Sequence, residues 1–349
     1  MDSNHKLRVV VVGCGAICRS WLRPSVVRGD VEIVGLVDIA HEKARQVADE
    51  FGLREAVLGS DLEKVLKATH PDAVFDCTVP EAHKEVTLTA LAHGCHVLGE
   101  KPLADTMANA RCMVAAAAEA GRIYAVVQNR RYEPNIRALR RFIAENGIGR
   151  VTTVHSDFFI GAHFNGFRNH MKHVLLLDMA IHTFDAARFI TGQDALTALA
   201  HEWNPPVSWY DYDASAVAVF EMTGGIVYTY RGSWCAEGLP TTWESSWRVI
   251  GERGTVLWDG GDQFRCEVVA GDTGFIRPVK AVEVPLGGFA GEPTGHAGVI
   301  AEFLNCIRNG GIPQTVAADN IKSLAMVHAA VASAERGCKV KVTELLEGS

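Results

Sequence analysis

The sequence predicts an α/β protein of two domains, the first built on a parallel sheet and the second on a large, open, mostly antiparallel sheet. A chain of 349 residues is long for a single hydrophobic core, so two domains are expected. In the first third, short apolar strands alternate with amphipathic helices, which is typical of a parallel sheet covered on both faces. In the second half, strands follow one another through short turns, which indicates antiparallel pairing.

The composition is that of an ordinary globular protein, with 48% hydrophobic and 21% charged residues. Acidic residues outnumber basic ones, 41 to 34, which argues against a general nucleic-acid surface. No apolar run approaches the roughly 20 residues of a membrane span, and "MDSNHKLRVVVVG" has no signal-peptide hydrophobic region. The nine cysteines include no CxxC pair. We therefore expect a cytoplasmic protein with free thiols and without a membrane or nucleic-acid partner.

The first domain is predicted to extend over residues 1–127. Its strands are predicted in "LRVVVVG", "VEIVGLVD", "DAVFDCTV", "CHVLGEK" and "IYAVVQN". Its helices are predicted in "WLRPSVVRG", "HEKARQVADEFG", "HKEVTLTALAHG" and "MANARCMVAAAAEAG". Gly52 is expected to end the second of these helices.

The second domain is predicted to occupy residues 128–349, beginning with a connecting helix in "EPNIRALRRFIAENG". Its strands are predicted in "RVTTVHSDFFIG", "ASAVAVFEM", "IVYTYRGSW", "SWRVIG" and "GTVLWDG". Two further helices are predicted in "LLLDMAIHTFDAARFITG" and "NIKSLAMVHAAVASAERG". An open sheet face with aromatic residues needs covering, so we expect a homodimer or homotetramer packed through those faces.

A dinucleotide site is indicated by "VVVVGCGAICRSW", which places Gly13 and Gly15 between a strand and a helix. The first glycine permits a tight turn, and the second lets the backbone approach a pyrophosphate at the helix N-terminus. Cys18 stands at the third small position, an imperfect match. Asp38 ends the next strand 23 residues after Gly15, near the spacing of an acid that binds the ribose hydroxyls. An ordinary glycine turn and a helix N-cap at Asp38 are the alternative interpretations.

The cofactor is predicted to be NAD rather than NADP. A carboxylate at Asp38 accepts hydrogen bonds from a 2′-hydroxyl and repels a 2′-phosphate. Ile39 and Ala40 follow, where an NADP site favours a basic or hydroxyl residue.

An acid and a histidine interrupt the apolar run of "LLLDMAIHTFD". In a helix, Asp178 and His182 are four residues apart and leave the same face. Taken alone, such a pair is more often structural than catalytic, as a lone Lys101 is more often a solvated surface lysine. Their occurrence together behind a dinucleotide motif reverses that expectation.

Three stretches of the sequence resemble motifs of the Gfo/Idh/MocA oxidoreductases. The resemblance to this family covers essentially the whole chain. "GEKPLA" resembles the family's E-K-P signature, "CTVPEAHKEV" its T-P-x-x-x-H cofactor segment, and "DMAIHTFD" its D-x-x-x-H motif. The chain departs from the pattern at Val79, where proline is usual, at Cys18, and at His173 and Val174, near where Gly-Gly is usual.

The resemblance implies that Lys101 and His182 meet in a cleft between the domains, with Asp178 beside them. His182 then serves as the base for a substrate hydroxyl, Lys101 stabilises the developing negative charge, and Asp178 orients the imidazole or accepts a neighbouring hydroxyl. We expect cofactor contacts from Gly13, Gly15, Ala16, Ile17, Asp38, Ile39, Thr78, Val79, His83, Glu100, Lys101 and Gln128.

Arg168 and His173 are candidate substrate contacts beside Lys101, Asp178 and His182. Histidines His163, His170, His173 and His182 match no compact zinc motif, so no metal site is predicted. Trp234, Trp243, Trp247 and Trp258 are interpreted as core or subunit interface rather than a sugar-stacking platform.

The resemblance makes an NAD-dependent dehydrogenase of a secondary hydroxyl on a sugar, inositol or related polyol the leading hypothesis. Two alternatives remain: an NAD-dependent glycosidase that oxidises its sugar transiently, and a non-catalytic sugar or dinucleotide sensor. The presence of Lys101, Asp178 and His182 together argues against the sensor. Net NADH formation separates the dehydrogenase from the glycosidase.

Overall fold

The computed structural model describes residues 6–289 and 291–348. Their contacts divide the chain into two compact units. The first unit runs to Tyr132 and also includes Glu292–Ile321, and the second comprises Glu133–Gly291 and the chain from Lys322 onward. Glu292–Ile321 therefore belongs to the first unit although it follows the predicted domain boundary at residue 127. The reason is that a helix within this late segment packs on the first sheet. The functional domains 1–127 and 128–349 stay a prediction.

The first unit is a parallel sheet with helices on it. Its strands are β1 (Leu7–Val12), β2 (Val31–Val37), β3 (Val57–Gly59), β4 (Ala73–Asp76), β5 (His96–Gly99) and β6 (Tyr124–Val126). Its first five helices are α1 (Cys18–Val26), α2 (His41–Phe51), α3 (Leu62–Thr69), α4 (Pro80–Ala92) and α5 (Met107–Ala120). The strands pair in parallel in the order β3-β2-β1-β4-β5-β6, the arrangement of a dinucleotide-binding fold.

The second unit is built on a nine-stranded sheet. Its strands are β7 (Val151–Phe159), β8 (Ala195–Trp203), β9 (Ser215–Met222), β10 (Val227–Ser233), β11 (Ser246–Gly251), β12 (Gly254–Trp258), β13 (Phe264–Val269), β14 (Val279–Ala281) and β15 (Val340–Lys341). Its helices are α6 (Pro134–Ala144) and α7 (Ile181–Thr191), with α10 (Val342–Glu347) near the C-terminus. Helix α8 (Gly295–Asn309) belongs to the first unit, and α9 (Ala317–Arg336) begins in the first and continues in the second.

The nine strands lie in the order β14-β13-β12-β11-β7-β10-β9-β8-β15. Strands β7 and β10 are parallel neighbours, and the other neighbouring strands in the described part of the chain are antiparallel. One face packs against α7, where the ring centroids of Phe184 and Phe220 are 4.8 Å apart. The opposite face exposes alternate residues of β9, including Val217 and Val219. The predicted fold class is confirmed.

The core of the first unit explains why α8 belongs to it. Trp21 and Phe303 both pack on Phe75 of β4, with ring centroids 5.3 and 6.3 Å away. Phe303 is fully buried and lies on α8, and Val299 beside it is also buried. Burying these side chains removes several large apolar surfaces from water, which holds the late helix on the first sheet.

All nine cysteines are free. In the part of the chain that the structure describes, every helix is too short or too polar to cross a bilayer.

Candidate active site

The residues predicted to bind the cofactor gather at one edge of the parallel sheet. The glycine turn follows β1, Asp38 follows β2, and Thr78 follows β4. Glu100 and Lys101 follow β5, and the short strand β6 precedes Gln128. Since all six strands are parallel, these segments lie at the carboxyl edge, where the strand order reverses between β1 and β4. Dinucleotides bind at such a reversal.

The two glycines of the turn have different physical roles. Gly13 has φ +87°, and a Cβ there would lie 2.7 Å from the backbone carbonyl of Cys77, so only glycine fits. A Cβ on Gly15 would meet no atom within 4 Å. The space above Gly15 is therefore open to a ligand at the N-terminus of α1, which fits a pyrophosphate. Ala16 and Ile17 are exposed beside it.

Cys18 fills the third position of the glycine motif. Its side chain is fully buried, and its thiol donates to the Gly15 carbonyl at 3.0 Å. Burial raises the pKa of this thiol to about 11, so it stays protonated and can donate. A small, neutral side chain is sufficient for the close helix–strand packing that this position needs.

Asp38 joins the end of β2 to the glycine turn. One carboxylate oxygen accepts from the Cys14 backbone N–H at 2.8 Å, and the other accepts from the Ala40 N–H at 2.8 Å. Helix α2 begins at His41 with Ala40 at its N-cap, so the interpretation of Asp38 as a helix N-cap is wrong. A carboxylate has about four acceptor positions, so it keeps capacity for ribose hydroxyls. Ile39 beside it is 95% exposed.

The segment after β4 is held by a buried acid that the sequence analysis did not identify. Asp76 Oδ1 accepts from the Thr78 N–H at 3.0 Å and from the Thr78 hydroxyl at 2.5 Å. Complete burial raises the pKa of Asp76, and its interactions with His83 and Thr78 oppose this shift. A polar residue at the end of a buried strand is a weak signal, because it resembles any turn-forming Asp.

His83 connects two of the predicted cofactor segments. Its side chain is fully buried, with Nδ1 3.0 Å from the Pro102 carbonyl oxygen and Nε2 3.2 Å from the Thr78 carbonyl oxygen. It therefore ties the segment after β4 to the loop after β5. Val79, in contrast, is largely exposed at the sheet edge, and Gln128 is buried.

Glu100 supports the backbone of Lys101. Its carboxylate accepts from the indole N–H of Trp21 at 2.7 Å and from the Lys101 N–H at 3.1 Å, and His296 Nε2 lies 3.8 Å away. Burial acts to raise the pKa of Glu100, but His296 and Trp21 outweigh it and hold the pKa below its ordinary value. Glu100 is thus an anion in the folded protein, and Trp21 and His296 are supporting residues that sequence reasoning missed.

The helix that carries Asp178 and His182 begins with a π-helical turn. The sequence predicts an α-helix throughout, but Leu175–Ala180 forms a π-helix, and α7 starts at Ile181. Leu175 and Leu176 are fully buried, while Asp178 and His182 are only half-buried. π-Helical turns are rare and concentrate at functional sites.

Arg168 and Asp178 are brought into direct contact. The guanidinium of Arg168 binds the carboxylate of Asp178 through two bonds, of 2.6 Å from Nε and 3.2 Å from Nη2. The same guanidinium carbon lies 5.0 Å from the ring centroid of Phe164 and 4.8 Å from that of Phe167. Two charge-assisted bonds and two cation–π contacts fix both side chains.

His173 faces two carboxylates. Its Nδ1 lies 2.6 Å from Glu202, which is buried, and its Nε2 lies 3.4 Å from Glu335. The bond to Glu202 raises the pKa of His173, and burial raises the pKa of Glu202. With both ring nitrogens engaged, a contact between His173 and a substrate requires one of these bonds to break. The substrate contact stays a prediction.

The other nearby histidines bind separate carboxylates. His163 Nε2 is 3.1 Å from Glu237, and His170 Nδ1 is 2.5 Å from Asp211. Within residues 6–289 and 291–348, no group of three or more His, Cys, Asp or Glu side chains has the geometry of a metal site.

Two family models match the chain. One is described as an oxidoreductase family with an NAD-binding Rossmann fold and matches residues 7–128. The other is the C-terminal domain of the GFO/IDH/MocA proteins and matches residues 136–257.

Known proteins resemble the chain along nearly its full length. It is 30% identical to D-apiose dehydrogenase of Paraburkholderia graminis, over 97% of this chain and 91% of that protein. It is 26% identical to 1,5-anhydro-D-fructose reductase of Ensifer adhaerens, over 94% and 96%. An Agrobacterium radiobacter oxidoreductase solved with NAD+, L-tartaric acid and magnesium has the same fold, with a TM-score of 0.84, 22% identity and coverage of 98% and 100%.

Proposed function

Since the chain belongs to the Gfo/Idh/MocA oxidoreductase family, whose N-terminal domain is an NAD-binding Rossmann fold, we propose that it oxidises a secondary hydroxyl of a sugar, inositol or related polyol. The names of its relatives support a carbohydrate substrate, because a D-apiose dehydrogenase and a 1,5-anhydro-D-fructose reductase both act on such compounds. NAD, when bound, supplies the hydride acceptor.

The catalytic assignment rests on the chemistry of three side chains. Oxidation of a carbinol requires its hydroxyl proton to leave as the hydride departs, and His182 is the proposed base. Lys101 stabilises the negative charge that develops on the same oxygen. Asp178 accepts a neighbouring hydroxyl, and its bidentate bond to Arg168 holds the carboxylate in one orientation.

We propose NAD rather than NADP as the cofactor. Asp38 presents a carboxylate at the position where a 2′-phosphate would carry like charge, and its two backbone bonds hold it there. Gly15 leaves room for the pyrophosphate, and Asp38 for the ribose.

The observation that carries the proposal is the gathering of the glycine turn, Asp38 and Lys101 at the carboxyl edge of one parallel sheet. The test is a screen for NAD reduction over monosaccharides, inositols, anhydrosugars and glycosides. We expect net NADH formation with at least one of them. Release of an aglycone without NADH would instead indicate the glycosidase cycle, and binding without any turnover would indicate a sensor.

A further inference from the structure

Three loops of the second unit open on the same edge of its sheet. Strands β7 and β10 are parallel, so the loops that follow them, 160–174 and 234–245, leave together. Strand β9 is antiparallel to β10, so the loop that precedes it, 204–214, lies at that edge as well. Loop 160–174 ends where the π-helical turn with Asp178 begins.

Hydrogen bonds and ring contacts fix these loops to one another. The Trp209 indole N–H and the Tyr210 hydroxyl both donate to the Ala162 carbonyl, at 3.1 and 2.9 Å. The His163 ring stacks on Trp209 with centroids 3.8 Å apart. The Thr241 N–H donates to the Phe159 carbonyl at 3.0 Å. A surface held in this way needs little ordering when a ligand binds.

The loops present large aromatic side chains to solvent. Phe164 is 38% exposed, Phe167 68% and Trp243 47%, and we name these three the aromatic rim. Two of them are held by a buried ring: Phe164 packs edge-on against Trp234, with centroids 5.1 Å apart, and Trp243 lies 5.7 Å from the same ring. Ordered aromatic rings clustered at a surface indicate a binding site.

Arg168 connects the aromatic rim to the proposed catalytic carboxylate. Its Nε donates to Asp178 while its guanidinium carbon lies over the rings of Phe164 and Phe167. The rim therefore begins one guanidinium group away from Asp178. A sugar whose hydroxyl bonds Asp178 would therefore lie beside the rim.

We infer that the substrate is a glycoside with an apolar, planar aglycone, which the aromatic rim binds while the sugar ring meets Asp178. This inference rests on the proposed function, which it narrows from carbohydrates in general to glycosides. The aglycone packs against Phe164, Phe167 and Trp243, through ring surface that Arg168 does not cover. Oxidation leaves the glycosidic bond intact, so the product keeps its aglycone.

The test compares methyl and phenyl glycosides of the same sugar, in matched pairs of glucose, galactose, mannose and xylose. The protein is loaded with NADH so that oxidation cannot proceed, and affinity is measured by calorimetry. For at least one sugar we expect the phenyl glycoside to bind about 10-fold more tightly than the methyl glycoside. Equal affinity within every pair, or no detectable binding of any phenyl glycoside, would overturn the inference.

Variants locate the preference on the rim. Phe167→Ala and Trp243→Ala should reduce the phenyl preference to about 3-fold or less and leave the methyl glycoside affinity unchanged. Phe275→Ala is the matched control, since Phe275 is a fully exposed aromatic residue in the loop between β13 and β14. A preference that survives in both rim variants contradicts the assignment.

The two proposals can fail separately. If methyl and phenyl glycosides bind equally well and both yield NADH, the dehydrogenase proposal stands and the aglycone site is contradicted. If phenyl glycosides bind more tightly but no NADH forms in the oxidative assay, the aglycone site stands and the dehydrogenase proposal is contradicted.

Discussion

At the scale of single residues, the two glycines of the first turn form a matched pair. Gly13→Ala would push a Cβ onto the Cys77 carbonyl at a backbone conformation that favours glycine, so we expect it to cost at least about 2 kcal/mol of folding free energy. Gly15→Ala meets no protein atom and should change stability by less than about 1 kcal/mol. It should nevertheless weaken NAD binding at least about 10-fold, because its Cβ occupies the space of the pyrophosphate.

Thermal unfolding and calorimetry with NAD measure the two effects. Equal loss of stability in both variants, or unchanged NAD affinity in Gly15→Ala, would show that the open space above Gly15 is not the pyrophosphate site.

Asp38 decides between the cofactors at the same scale. Asp38→Ala should weaken NAD binding by about 10- to 100-fold, the effect of losing hydrogen bonds to a charged group, and should narrow the gap between NAD and NADP. Since Asp38 also holds the N–H groups of Cys14 and Ala40, the melting temperature of the variant serves as a control. Tighter binding of NADP than of NAD by the wild-type protein would contradict the cofactor assignment.

Residues with local signals could be predicted from the sequence, and residues defined by tertiary contacts could not. Gly13 and Asp38 follow apolar strands at the spacing of a dinucleotide-binding motif, so the sequence predicts their positions in the site. The bond between Arg168 and Asp178 depends on how a short 3₁₀ turn folds back on the next helix, which no periodicity reveals. The sequence predicts both Arg168 and Asp178 as site residues, but it does not predict the hydrogen bond between them.

At the scale of elements, His173 holds the entrance to the π-helical turn. Its backbone has φ +53°, a conformation that few residues other than glycine adopt. Its bond to Glu202 joins this strained residue to the end of β8 and so fixes the segment that leads to Asp178. The bond between His173 and Glu202 offsets the backbone strain at His173. A glycine at this position would not have that strain.

This pair predicts a pH dependence of stability. The folded pKa values of His173 and Glu202 both lie above their ordinary values, so each contributes stability at low pH that is lost as the pH rises through its folded pKa. Glu202→Gln removes both contributions. The stability of wild type relative to this variant should fall by about 1–2 kcal/mol between about pH 5.5 and about pH 8.5.

Chemical denaturation at several pH values measures this difference. Glu335→Gln is the comparison variant: Glu335 also raises the pKa of His173, but it is exposed and its contact is longer, at 3.4 Å, so the pH-dependent difference should be smaller. If the difference in stability between wild type and Glu202→Gln does not change with pH, the predicted contribution of the His173–Glu202 pair is wrong.

Most elements could be predicted, and those missed have physical reasons. Strands β3 and β14 have three residues each and β15 two, too few to show a period. Strand β13 and helices α3, α8 and α10 were not predicted either. Strand β8 was missed although it alternates, because small and polar residues weaken its apolar signal. The π-helical turn was predicted as α-helix, since both types bury one apolar stripe and sequence spacing does not separate them.

At the scale of the whole molecule, the open sheet face predicts association. Alternate residues of β8 and β9 expose Leu199, Val217 and Val219 on the face opposite α7, with Leu199 and Val219 directly paired across the strands. We therefore propose a homodimer or homotetramer formed through this face. Val219→Glu places an acid on this face and should shift the protein to monomer, whereas Phe275→Glu should not.

Analytical ultracentrifugation at micromolar concentration distinguishes these outcomes, with circular dichroism to confirm that both variants fold. A monomeric wild-type protein would remove the proposed oligomer, and an oligomer that persists in Val219→Glu would move its interface elsewhere.

The central claim is that Lys101 and His182 act on one substrate hydroxyl while the glycine turn and Asp38 bind the cofactor. Single-turnover NADH formation, followed by absorbance with a substrate found in the screen, tests it most directly in Lys101→Ala and His182→Ala. We expect the NAD affinity to stay within about 3-fold of wild type, because the glycine turn and Asp38 supply most of the cofactor contacts. NADH formation should fall by about 10²- to 10⁴-fold in His182→Ala and severely in Lys101→Ala. Near-wild-type NADH formation in both variants would contradict the claim and leave the acid and the histidine of this helix with a structural role.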